Sequence, residues 1–220
     1  MEAFYDLANG IGAVEWFATL TALAYVYLAA RDNNWCWLFA AVSALLWAYQ
    51  SFFVYRLVSD ALLQLFYLVM AGVGIYRWSS GGRTSRDEEA LDSEAIDRPA
   101  NPDPGIRRMT AREHLYTIGG GLAAGLFLGF TVGTLSAATQ TYPDAITTAL
   151  SVIATFLLIA RRLENWLYWV VIDAAYVVIY WRSGALLFAL LMVLYVGMAV
   201  YGYRSWRSRL AVHGGYDAAA

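Results

Sequence analysis

Long apolar runs broken by short polar joints dominate this chain. Seven runs can be marked, at roughly 11–30, 35–55, 61–78, 114–138, 144–160, 165–181 and 184–203. Each is close to the ~20 residues a helix needs to cross a hydrocarbon core. The joints after the first, second, fifth and sixth runs are short, so those helices are predicted to be antiparallel neighbours. The predicted fold is therefore all-α and polytopic, with seven transmembrane helices. Residues 79–112 differ in kind. Ser79-Ser80-Gly81-Gly82 leads into Arg86-Asp87-Glu88-Glu89 and then Pro99, Pro102 and Pro104, a composition that reads as a flexible, solvated linker.

The pattern repeats. Asn34-Trp35 opens the second run and Asn165-Trp166 the sixth. Tyr67 and Met70 in the third run match Tyr195 and Met198 in the seventh, and both runs close on aromatic and basic residues, Tyr76-Arg77-Trp78 and Tyr203-Arg204-Ser205-Trp206. On this register Trp166 is equivalent to Trp35 and reads as an interfacial anchor. The expected architecture is a parallel repeat, three helices, one connecting helix and three helices (3+1+3). Its parts are a first bundle at 1–78, the linker at 79–112, the connecting helix at 113–139, a second bundle at 140–206 and a tail at 207–220. Repeats related by an axis along the membrane normal place a substrate site between them near mid-bilayer. The connecting helix carries Gly121, Gly125, Gly129 and Gly133 at helical spacing, a small-residue stripe for close helix approach. It is expected to pack on the chain's own bundle.

Composition agrees with the membrane reading. The chain of 220 residues is 60% hydrophobic and only 15% charged, with mean hydropathy +0.49. All fifteen basic residues are arginine. Arg56 and Arg182 fall on the side of the N-terminus, and the other thirteen on the opposite side. The positive-inside bias then puts the N-terminus outside and the linker and C-terminus in the cytoplasm. Glu2 and Asp6 stand where a cleavable signal would be basic, so the first run is expected to remain as a span. A net charge of −2 without a basic stripe argues against nucleic acid. A lone Cys36 gives no disulfide, and no histidine and cysteine cluster suggests a metal or other cofactor.

The polar residues inside the runs carry the candidate chemistry. Asp173 falls near the middle of the sixth run, where a carboxylate is costly unless it meets a cavity or a partner. Trp166, Trp169 and Asp173 share a helical face. Gln64 and Tyr67 share one in the third run, as do Ser43, Trp47 and Gln50 in the second. Asp144, Thr147, Thr148 and Ser151 open the fifth, although hydroxyls there often bond to their own backbone. Glu15 is read as an interfacial group or a gate at the outer side. Amides, hydroxyls, aromatics and one acid suit a flat, partly charged ring bearing hydroxyls, such as a nucleoside or vitamin. No nucleophile and base pair suggests an enzyme. The remaining alternative class is a membrane receptor signalling through the linker.

Three stretches carry a resemblance: Asp144-Ala145-Ile146-Thr147-Thr148-Ala149-Leu150-Ser151, Arg161-Arg162-Leu163-Glu164-Asn165-Trp166-Leu167-Tyr168-Trp169 and Leu62-Leu63-Gln64-Leu65-Phe66-Tyr67. Through them the chain resembles the PnuC-type transporters of vitamin precursors, best known for nicotinamide riboside. The resemblance implies a full-length, SWEET-like fold in a prokaryotic cytoplasmic membrane, facilitated diffusion with metabolic trapping, and homotrimers. It implies binding residues at Trp47 and Gln64 and at the pair Trp169 and Asp173, the last standing where some members carry Asn. Tyr67, Gln50, Thr148 and Ser151 complete the candidate set. Relatives carry thiamine, riboflavin or deoxynucleosides, so these are alternative substrates.

Overall fold

The computed structural model describes residues 12–54, 58–91, 105–135, 141–182 and 186–217. Seven helices lie among them: α1 (Ala13–Ala30), α2 (Cys36–Tyr49), α3 (Val58–Leu91), α4 (Ala111–Leu135), α5 (Thr141–Ile159), α6 (Asn165–Arg182) and α7 (Leu186–Asp217). Each apolar run is the body of one helix. Two helices outrun their spans. α3 continues through Arg83–Leu91 and α7 through Arg207–Asp217, because Arg, Glu, Ala and Leu sustain a helix once it is nucleated. Arg56 and residues 92–104 of the linker lie outside the described residues, as do the side chains of Asp144 and His213 and the surroundings of Gly133.

The helix ends show how local sequence sets the frame. α1 and α5 both close with a Schellman turn. Asn33 N–H donates to Leu28 O at 2.9 Å and Asp32 N–H to Ala29 O at 2.9 Å. In α5, Arg162 N–H donates to Leu157 O and Arg161 N–H to Leu158 O, both at 2.9 Å. The residue in the left-handed region is Asp32 in one (φ 52°) and Arg161 in the other (φ 51°), where glycine is the usual choice. α4 opens on a capping box: Thr110 Oγ1 accepts Glu113 N–H at 3.3 Å, and the Glu113 carboxylate accepts Thr110 N–H at 2.7 Å. Glu15 accepts Gly12 N–H at 2.7 Å, so it caps α1. α2 ends in a π-helical turn, Gln50–Val54.

The chain divides into two compact units, 1–99 and 100–220. In the first, α2 packs against both α1 and α3. In the second, α4 packs on α5, α5 on α6 and α6 on α7. The glycine stripe of α4 lies on the chain's own α5, as expected. A Cβ on Gly125 would stand 2.6 Å from Ile146 Cα, and one on Gly129 2.7 Å from the Tyr142 ring. The helices touch backbone to backbone there.

Each unit is closed at one end by the same clasp. Trp37 of α2 lies flat over Gly74 of α3, where a Cβ would come within 2.3 Å of the indole, and meets Trp78 edge-on at 5.2 Å. Trp166 of α6 lies over Gly202 of α7, with 2.6 Å to a Cβ there, and meets Trp206 edge-on at 5.5 Å. This corrects the register read from the sequence. Trp35 is 63% exposed and Trp166 only 2%, so Trp166 is a core residue equivalent to Trp37 and is not an interfacial anchor.

Outward faces are apolar. Leu115, Tyr116, Leu122, Leu126, Phe127 and Phe130 of α4 are all exposed, as are Phe17 and Leu20 of α1. Water does not tolerate such contiguous apolar surface, but acyl chains do. Among the described residues, α1 and the segment Cys36–Val54 are long and apolar enough to cross a bilayer by composition alone, and Ala145–Ile159 is a shorter apolar stretch.

Candidate ligand-binding site

In the first unit the polar candidates cluster on α2 and α3. Gln50 is buried, and Trp47, Gln64 and Tyr67 are half-buried. The side-chain amides of Gln50 and Gln64 make no hydrogen bond to another described residue, so they keep donor and acceptor capacity. Tyr67 is steadied by an edge contact with Phe66 at 5.6 Å. Ser43 drops out of the face it was predicted to share. Its Oγ donates to Ala18 O of α1 at 3.0 Å, which makes it a tie between helices. The π-turn changes the picture in the other direction. One extra residue per turn rotates the helix, and Ser51 beside Gln50 is only 1% exposed. Helical periodicity of 3.6 leaves Ser51, a polar residue of the same run, off the shared face, and nothing in the sequence signals the π-turn.

In the second unit the candidates lie on α5 and α6. Asp173 is 7% exposed. Among the described residues its carboxylate makes no hydrogen bond and no ion pair, and Tyr195 of α7 is within electrostatic reach of it. Trp169, half-buried, stands one turn before it on the same face. Tyr176 and Tyr180 continue that row, their rings stacked at 5.8 Å. Tyr195 was noticed in the sequence only as the match of Tyr67, and its nearness to Asp173 makes it a further candidate.

The hydroxyls of α5 are half committed. Thr147 Oγ1 donates to Pro143 O at 2.9 Å, Ser151 Oγ to Thr147 O at 2.8 Å and Thr155 Oγ1 to Ser151 O at 2.8 Å. Their protons therefore go to the helix's own carbonyls, and what they offer a neighbour is an oxygen lone pair. Thr148 is half-buried on the adjacent face. The buried polar groups of this unit are thus rich in acceptors. A carboxylate, hydroxyl oxygens and an indole face favour a ligand bringing positive charge, N–H or O–H groups.

Apolar outward faces around buried amide, indole and carboxylate groups define a multi-pass membrane protein with a polar interior in each bundle. The chain belongs to the nicotinamide mononucleotide transporter family, whose model matches residues 12–208. It is 26% identical over 213 residues to the nicotinamide riboside transporter PnuC of Escherichia coli, covering 92% of this chain and 86% of that one. It is 24% identical over 208 residues to the nicotinamide riboside transporter PnuC of Neisseria mucosa, covering 90% and 73%. The fold matches the crystal structure of the vitamin B3 transporter PnuC with a TM-score of 0.70 at 22% identity, over 96% of this chain and 87% of that one.

Proposed function

We propose that this protein carries nicotinamide riboside across a bacterial cytoplasmic membrane by facilitated diffusion. The observation that carries the reading is Asp173, a carboxylate 7% exposed with no ion pair among the described residues, one turn from an indole on the same helical face. A pyridinium ring stacks on Trp169 and offsets the charge of Asp173. The carboxamide and ribose hydroxyls offer donors to Ser151, Thr148 and Tyr195. Trp47, Gln50, Gln64 and Tyr67 are assigned to the same ligand. The relatives named for nicotinamide riboside support the assignment.

The 3+1+3 parallel arrangement belongs to this reading. It is supported by the two clasps and the two Schellman turns, which recur at matching places in the units. α3 leaves the first unit beyond its clasp, and α4 begins in the second beside its clasp, as one added crossing requires. Homotrimers and an external N-terminus complete the proposal. Purified protein titrated with a panel of vitamins tests it: nicotinamide riboside is expected to bind, and Trp169→Ala and Gln64→Ala to abolish its uptake into proteoliposomes. Normal uptake by both variants would remove the site assignment. Thiamine is the second reading, because its thiazolium ring brings the cation that Asp173 favours. The neutral riboflavin ring does not.

A further inference from the structure

The run Arg161-Arg162-Leu163-Glu164 is part of the stretch by which the chain resembles its family, yet no ligand role falls on it. In the structure it is fastened to the segment Gly105–Thr110 just before α4. Arg107 N–H donates to Arg161 O at 3.0 Å and Leu163 N–H to Arg107 O at 2.9 Å, one rung of parallel strand pairing. Glu164 Oε2 accepts Met109 N–H at 2.8 Å. Arg162 reaches Arg108 O with one guanidinium nitrogen at 3.3 Å and Glu113 Oε1 with another at 2.6 Å. One turn into each helix, His114 Nδ1 and Tyr168 Oη are 2.8 Å apart and their rings stack at 5.9 Å. Ile106, Met109 and Leu163 are buried beneath this strap.

We propose that Arg162 and Glu164 are positioning residues that act through this strap. They join α4, α5 and the first turns of α6 into one body that stays closed through the transport cycle. The angle at which α6 presents Trp169 and Asp173 is thereby fixed. Two further observations favour a permanent tie over a latch. The α4 and α5 backbones meet at Gly125 without room for a methyl group, so the helices have no slack to slide. Opening the strap would also leave three backbone amides and the Glu164 carboxylate to find new partners at once. The transport arms of the test rest on the proposed function.

The experiment uses the full chain. Glu164→Ala is expected to weaken nicotinamide riboside binding about tenfold with the maximal uptake rate held, because a site is only as ordered as the shell that supports it. Glu164→Gln, which keeps an acceptor oxygen for Met109 N–H, is expected to bind like the wild type. A pair of cysteines, Arg107→Cys with Arg162→Cys, is expected to bind weakly when reduced and to transport at the wild-type rate when oxidised. Cys36 is buried and stays out of that chemistry. A cross-linked pair that binds ligand but cannot carry it would overturn the proposal, as would a folded Glu164→Ala that binds like the wild type. Hydrogen exchange at the Met109 and Leu163 amides needs no ligand. It is expected to be slow in the wild type and faster in Glu164→Ala, and fast exchange in the wild type refutes the strap. If the wild type carries no nicotinamide riboside, the functional reading fails and the exchange arm still decides the strap.

Discussion

The clasps of the two units are nearly superposable in description and differ in what surrounds them. Trp37 on Gly74 and Trp166 on Gly202 share the flat contact, the edge-on second indole and a Schellman turn just before. In both, the indole N–H is buried without a hydrogen-bond partner among the described residues. Such an orphan costs ~1–3 kcal/mol and is tolerated twice, so shape decides this contact. The surroundings diverge at once. Seven residues beyond the clasp indole, α6 has Asp173 and α2 has Ala44, both buried. Apart from Ser43, which is tied to α1, the polar groups of α2 come later, at Trp47 and then at Gln50 and Ser51 in a π-turn that α6 lacks. The strap lies on the turn of the second unit. On the first, the Asn33 side chain accepts Trp35 N–H at 3.0 Å. The frame is shared by the two units, and the chemistry it carries is not.

The sharpest way to break that comparison is at the divergent pair. Asp173→Ala is expected to lower uptake ten- to hundredfold, the equivalent of losing one charge-assisted contact of ~1.5–3 kcal/mol. Ala44→Ser, at the matching place in the first unit, is expected to change uptake less than threefold. Uptake assays in proteoliposomes check both. Equal effects would mean that the two units read the ligand alike.

The shared frame comes next. Trp37→Ala and Trp166→Ala each empty a fully buried indole site and are expected to destabilise by ~3–5 kcal/mol, read as a drop in thermal unfolding temperature in detergent. Gly74→Ala and Gly202→Ala push a methyl into those same rings and are expected to cost ~1–3 kcal/mol. The comparison predicts matched pairs. A loss confined to the second unit would show that the clasp of the first is ornamental.

Much of this frame was legible as hydropathy, and the rest was not, for identifiable reasons. Every helix body follows an apolar run, because a helix that crosses lipid must be predominantly apolar along its length. The glycine stripe of α4 declared a close helix contact through its spacing, though not which helix would fill it. The repeat was visible, but its register was set by the matching Asn-Trp pairs. Trp35 and Trp37 are two residues apart, and only burial tells which one the clasp uses. Ser43 and Gln50 share an ideal helical face, yet a hydrogen bond to α1 claims the first. The strap left no local signal, because its bonds join residues about fifty or more apart in the chain. Asp173 and Trp169 stood out for an energetic reason: an acid amid apolar residues is expensive wherever the helix points.

Smaller effects test the turns. Arg161 at φ 51° bears a strain that glycine avoids, and Asp32 at φ 52° bears less, since short polar side chains tolerate that region. Arg161→Gly is therefore expected to gain up to ~1 kcal/mol and Asp32→Gly less. Equal gains in thermal stability would mean that the Arg161 side chain offsets its own strain.

The smallest expected effect is a pH dependence confined to the second unit. Hydrogen bonds from the Thr110 backbone and side chain hold the Glu113 carboxyl below its ordinary value of 4.5, and Arg162 adds to the effect. Folding therefore favours the ionised form. Its contribution to stability is complete above that ordinary value and is lost as pH falls through the lower, folded one. Glu113 is only half-buried, so solvent screens the pair and the effect is small. Acid titration of thermal stability should show the wild type declining through this window faster than Glu113→Gln, with hydrogen exchange placing the change at the strap. No counterpart is expected from the cap at the turn of the first unit, where the acceptor of Trp35 N–H is the neutral Asn33 side chain. An equal acid response there would mean that the two turns are alike in their electrostatics as well as their geometry.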